Sequence, residues 1–118
     1  MTYMLLIIEP TGQRQTRSEA EGRAVYERML GFASDLQARG LLRGAESLSS
    51  HANAARVRVQ NGQARVLDGP FSEAKEMIGG FFLLDCKTRE EAVAIAAQCP
   101  AAEWCTVEVR SLAPCYET

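Results

Sequence analysis

The sequence predicts an α+β domain: a ferredoxin-like antiparallel sheet with two helices on one face and an inserted β-hairpin. Three observations predict it. The apolar patterns run strand, long helix, several strands, shorter helix, strand, which makes two β-α-β units with a hairpin between them. Both helices open on a capping signature, Ser18 with Glu21 and Thr88 with Glu91. Two strands are apolar on both alternating sets, Tyr3-Leu5-Ile7 with Met4-Leu6-Ile8 and Phe81-Leu83 with Phe82-Leu84. Such strands are covered on both sides. Two helices cover only one side, so a second copy of the chain is the simplest cover for the other.

Tyr3 to Glu9 reads as the first strand, ended by Pro10, and Thr11 to Arg17 as a polar loop. Ser18 opens a helix carrying Val25, Met29, Phe32, Ala33 and Leu36 at helical spacing, and Gly40 ends it. Leu41 to Leu48 reads as an irregular strand. Arg56 to Asp68 is a hairpin around Asn61-Gly62, with Val59 opposite Ala64, Arg58 opposite Arg65 and Val57 opposite Val66. Ser72 to Met77 reads as one helical turn, and Ile78 to Cys86 as a strand with Gly79-Gly80 near its start. Thr88 opens the second helix, whose small-residue face is Ala92, Val93, Ala96 and Ala97, and Pro100 ends it. Trp104 to Arg110 is the last strand. Residues 1–118 form one domain.

The chain has 118 residues, 47% of them hydrophobic and 24% charged, with a formal charge of -2. A chain of this length buries roughly two-thirds of its unfolded surface and needs no staples. The mild acidity argues against a nucleic-acid partner held by bulk charge. The longest apolar run, Met4 to Ile8, is too short for a membrane span, and Glu9-Pro10 follows where a signal cleavage site would need small residues. Cys86, Cys99, Cys105 and Cys115 lack disulfide or CxxC spacing, and Cys86 and Cys105 read as strand residues. The expectation is a cytoplasmic protein without a metal or other cofactor, given a lone histidine, His51.

The most informative stretch is Asp68-Gly69-Pro70-Phe71-Ser72-Glu73-Ala74-Lys75-Glu76. It resembles the DGPFAETKE-type signature of the DGPF family of YCII-related proteins, departing from it at two positions. Tyr3-Met4-Leu5-Leu6, Glu46-Ser47-Leu48, Gly79-Gly80-Phe81, Cys99-Pro100-Ala101-Ala102 and Val107-Glu108-Val109-Arg110 extend the resemblance over nearly the whole chain. It implies a fold of the dimeric α+β barrel type and an association with sigma-factor systems. Some YCII relatives act on small molecules with a His/Asp pair, including dechlorination of a hydroxyquinol. Here Met29 falls where the histidine would stand and Cys99 where the aspartate would, so that pair does not carry over.

The candidate site residues gather around the motif. Asp68 has two readings. It shapes a turn as a capping carboxylate, or it points toward the covered side, where burial would raise its pKa and make it an acid or base. Lys75 and Glu76 could pair with Asp68 or with a ligand, and Phe71 belongs to the same ligand-binding set. Glu46 and Ser47 sit on the irregular strand that could line the cleft. Tyr26 lies one helical turn from Met29. His51 is a weak catalytic candidate in a polar run. Arg56, Arg58 and Arg65 make the polar face of the hairpin. The expected function is a small-molecule-binding homodimer with carboxylate acid/base activity around Asp68; the alternative is a non-catalytic ligand-binding or regulatory module.

Overall fold

The computed structural model describes residues 1–117. Its main sheet has the strands β1 (Thr2–Pro10), β2 (Leu42–Ser47), β5 (Glu76–Asp85) and β6 (Thr106–Ser111) in the order β2-β5-β1-β6. All three pairings are antiparallel. The two crossovers are α1 (Glu19–Ala38) and α2 (Arg89–Gln98). This is the ferredoxin-like α+β arrangement that the element order predicts. The inserted hairpin, β3 (Ala55–Gln60) with β4 (Gln63–Asp68), forms a separate two-stranded sheet.

One face of the main sheet carries the core. Tyr3, Leu5 and Ile7 of β1 and Phe82 and Leu84 of β5 are buried against Phe32 and Leu36 of α1 and Ala92, Ile95 and Ala96 of α2. Phe32 meets Phe82 edge to face, with ring centroids 5.2 Å apart, a geometry that adds to area burial. Cross-strand partners share a face. Met4 opposite Leu83 and Leu6 opposite Phe81 therefore make the second face, which no helix covers, and all four stay only partly buried.

Ser18 and Glu21 form the full capping box. At α2 the box is shifted: the Glu91 backbone donates to Thr88, but the Glu91 carboxylate accepts from Lys87 N–H rather than from Thr88. The buried stripe of α2 is Ala92, Ile95 and Ala96, while Val93 is 41% exposed. The expected small-residue face was rotated toward Val93 because it left out Ile95. The polar loop before α1 contains a 3-10 turn at Arg14–Thr16. Cys86 lies just past β5 and Cys105 just before β6, so neither is a strand residue. No helical turn forms over Ser72–Met77. Ala74 N–H bonds to Phe71 O, and β5 begins at Glu76 to pair with Pro10.

The hairpin register is as the Asn61-Gly62 turn predicts, Val57↔Val66, Arg58↔Arg65 and Val59↔Ala64. Both turn residues have positive φ, 51° and 76°. Every residue of β3 and β4 is exposed, including Val57, Val59, Val66 and Leu67. The hairpin stands away from the body. The radius of gyration is 16.1 Å, against about 13.5 Å for a compact domain of this length.

Candidate functional site

The inward row of β1 is Tyr3, Leu5, Ile7 and Glu9, so the strand's period carries a carboxylate into the helix-covered layer. Glu9 is 6% exposed. A buried carboxylate needs a partner, and the 3-10 turn five residues on supplies it. Arg14 Nε–H lies 3.1 and 3.2 Å from the two Glu9 oxygens, and Nη2–H donates to Oε1 at 2.6 Å and to Gly79 O at 3.3 Å.

Gly79 makes room for this pair. Ile7 pairs with Gly80 and Ile8 with Ile78, leaving Gly79 as the extra residue of a β-bulge. A Cβ on Gly79 would sit 1.8 Å from Glu9 Oε1. Bulge, glycine and ion pair form one unit.

The unit lines a cavity of about 450 Å³ between α1 and the sheet, within the usual range for small-molecule sites. Its apolar wall includes Ile7, Val25, Met29, Ala33, Phe82 and Trp104. Arg17 and Cys105 line it as well. The Arg17 and Arg28 guanidinium carbons lie 5.8 and 5.3 Å from the Trp104 ring centroid, in the range of cation–π attraction. Beside Trp104, a hydrogen bond from Arg28 holds the Glu103 carboxyl below its usual range. Burial, with the Glu9 charge second, pushes the Cys105 thiol up to about 11. Cys105 is therefore neutral at physiological pH and no thiolate nucleophile. Burial likewise raises Cys99, which sits in the core. The arrangement suits binding and charge stabilisation: a guanidinium is fixed on the wall of a largely apolar chamber, and the carboxylate that fixes it is already engaged.

The predicted site residues divide between this cavity and a second cleft. Tyr26, Glu46 and Ser47 line the cavity with Met29. Pairing with Phe81 turns the Glu46 side chain to the opposite face from Ala45. His51, Phe71 and Glu76 line the other cleft, at the hairpin root on the face of Ile8 and Ile78. Asp68 and Lys75 line neither. Among the described residues, Asp68 forms no side-chain hydrogen bond or ion pair with Lys75 or any other group. The Asp68 side chain is exposed. Both readings of it need correction within the single chain. It does not cap the turn, whose bonds are Gly69 N–H to Ala54 O at 2.7 Å and Ala74 N–H to Phe71 O at 3.0 Å. Nor is it buried, because the hairpin's apolar face, Val57, Val59 and Val66, is exposed in the single chain.

What the motif does here is anchor the hairpin. Phe71 is 7% exposed, beneath the Arg56 guanidinium at 3.9 Å and edge-on to His51 at 5.6 Å. A Cβ on Gly69 would strike His51 O at 1.8 Å, so only glycine lets the chain pass there. His51 is packed against Phe71, and its Nδ1 has no hydrogen-bond partner among the described residues.

Glu9, Arg14, Arg17 and Trp104 are absent from the expected site. Glu9 shares the parity of Tyr3, Leu5 and Ile7, but with both sets of β1 apolar the sequence does not say which row faces the helices, nor does it show the 3-10 turn that brings Arg14 back. Among the described residues no three His, Cys, Asp or Glu side chains cluster as metal ligands, and no helix is long and apolar enough to cross a membrane.

Fold and cavity define a class: a ferredoxin-like α+β chain with a ligand-sized chamber between its first helix and its sheet. The profile of the YCII-related domain matches residues 1–115, and the chain belongs to that family. It is 44% identical over 62 residues to the uncharacterised protein R00369 of Rhizobium meliloti (strain 1021), a match spanning 51% of this chain and 50% of that protein. Among solved structures it is similar to 5-chloro-2-hydroxyhydroquinone dehydrochlorinase (TftG) from Burkholderia phenoliruptrix AC1100, in complex with 2,5-dihydroxybenzoquinone. That likeness has a TM-score of 0.56 and 14% identity, and covers 96% of this chain and 94% of the other. At that identity it establishes the shared fold.

Proposed function

We propose that the protein is a homodimeric small-molecule-binding protein whose ligand occupies the chamber between α1 and the sheet. The observation that carries this is the Glu9–Arg14 pair, seated by the Gly79 bulge on the wall of a largely apolar cavity of about 450 Å³. A buried ion pair gives little net stability compared with apolar packing, so its place at a ligand-sized cavity favours a binding role. That the dehydrochlorinase of the same fold binds a small quinone supports the reading. The second copy is supported by the uncovered face of Met4, Leu6, Phe81 and Leu83 and by the exposed valines of the hairpin. A two-stranded hairpin is marginal on its own, and so large an apolar surface is unusual for a monomer.

The test is a crystal structure and native mass spectrum of the protein as purified, beside Ala33→Phe, which fills the chamber. A small molecule bound in the parent and absent from the variant supports the reading. A ligand seated elsewhere, or retained by Ala33→Phe, overturns it. Light scattering showing a monomer at micromolar concentration overturns the dimer.

Carboxylate acid/base catalysis at Asp68 is the second reading. Asp68 pairs with Ala55 on the same hairpin face as Val57 and Val66, so a partner covering that face would enclose the carboxylate. Turnover lost in Asp68→Asn with folding intact would support it. A dimer that binds ligand without turnover would instead be a regulatory module, for which association with a sigma-factor system is the partner to test.

A further inference from the structure

The donor inventory of Arg14 narrows the ligand class. A guanidinium has five N–H groups. Nε–H is spent on the Glu9 carboxylate, and Nη2 on Glu9 Oε1 and Gly79 O. The two N–H groups of Nη1 have no partner among the described residues, while Arg14 lines the cavity with 31% of its side chain exposed. Three donors therefore fix the plane and two remain. Both leave the same nitrogen and diverge, so they offer charge-assisted hydrogen bonds to an anionic oxygen rather than a parallel bidentate pair.

The charges around the cavity point the same way. Glu9 is matched by Arg14, and Glu19 by Arg23 at 2.6 Å. Glu46 borders the cavity from the β2 edge, at a strand position whose pairing with Phe81 directs its side chain to the other face from Ala45. Arg17 is a cation on the chamber wall with no carboxylate within ion-pair distance among the described residues. The Trp104 ring lies beneath it, and most of the wall around it is apolar.

We propose that the chamber takes a small carboxylate with a planar apolar body, its anionic group on the free Nη1 edge of Arg14 with Arg17 as the second cation, and its ring along Trp104 and Phe82. This rests on the chamber being the ligand site. Arg14 is a binding residue in this assignment, and Glu9 and Gly79 are positioning residues that hold its plane.

The experiment titrates the full-length protein with two matched acid and amide pairs, phenylacetate against phenylacetamide and indole-3-acetate against indole-3-acetamide, by ligand-observed NMR. Arg14→Gln alone would strand the Glu9 carboxylate, so Glu9→Gln/Arg14→Gln is compared with Arg17→Gln, with circular dichroism as the folding control. The expected result is acids bound roughly tenfold or more tighter than amides. Glu9→Gln/Arg14→Gln should lose that preference while keeping amide binding, and Arg17→Gln should weaken it in part. Acids and amides bound equally would overturn the carboxylate assignment and leave the chamber as the ligand site. A preference that survives in Glu9→Gln/Arg14→Gln would remove Arg14 from the role. No binding of any of the four at millimolar concentration would overturn both readings.

Discussion

Removing Arg14 and then removing Glu9 as well should have opposite consequences. Glu9 keeps only 8% of its side chain exposed, and Arg14 keeps 31%. Arg14→Met takes away every side-chain hydrogen bond that Glu9 accepts and leaves a carboxylate in the core layer between Ile7 and the Gly79 bulge. Breaking a fully buried pair from one side costs about 3–5 kcal/mol. Water reaching the exposed third of Arg14 offsets part of this, so the expected loss is about 2–3 kcal/mol. Glu9→Leu/Arg14→Met replaces both partners with apolar side chains and should recover most of the loss, ending within about 1 kcal/mol of the parent. The assay is urea unfolding of parent, both single variants and the double variant, read as a double-mutant cycle. A coupling below about 0.5 kcal/mol, or a double variant no more stable than Arg14→Met, would refute the reasoning, because Glu9 would then not depend on Arg14 for its burial.

Gly79→Ala should cost about 1–3 kcal/mol, since its Cβ would sit 1.8 Å from Glu9 Oε1; the urea midpoint measures it, and carboxylate binding should fall with it. Phe71→Ala should cost about 3 kcal/mol, with hydrogen exchange showing lost protection confined to β3 and β4. Cys105 should resist iodoacetamide at pH 8 while exposed Cys115 reacts, and its rate should climb toward pH 11, because only the thiolate attacks and the thiol's pKa stands at about 11; peptide mass spectrometry separates the two. Asp68→Asn and Asp68→Ala should each shift the stability of the single chain by less than about 0.5 kcal/mol, measured by thermal melting at low protein concentration.

The parts legible in the sequence are those fixed by local rules. Asn61-Gly62 sets the hairpin register and Ser18 and Glu21 set the start of α1; in β1 both alternating sets are apolar, so the alternation gives a strand but not which face lies under the helices. The site was less legible because it depends on a bulge and a 3-10 turn. A strict period of two carries no sign that Gly79 falls outside the pairing with β1. Nor does a polar run such as Thr11 to Arg17 reveal that Arg14 folds back onto Glu9. Tyr26, Glu46 and Ser47, singled out in the sequence, all border the cavity under α1, since the helix face and the β2 edge follow from periodicity.

The Asp68–Glu76 stretch drew attention to Asp68, yet in the single chain the buried residue of that stretch is Phe71, and the constrained ones are Gly69 and the loop bonds that follow it. A segment so specific, fastening a hairpin that buries none of its own strand residues, makes sense when the hairpin's orientation matters to something outside the chain. The same Phe71 contact fixes where Val57, Val66 and Asp68 point, because a two-stranded ribbon clamped at its root has little freedom to swing. The motif and the chamber are then separate devices on opposite faces of one sheet. Phe71 and the hairpin address the face left open by Met4 and Leu83, while Glu9, Arg14 and Gly79 address the space under α1. The Gly79 bulge joins them: the backbone that seats the ion pair on one face belongs to the strand whose Ile78 walls the hairpin-root cleft on the other. Covering the open face with a second copy would therefore load the strand that holds Arg14 in place.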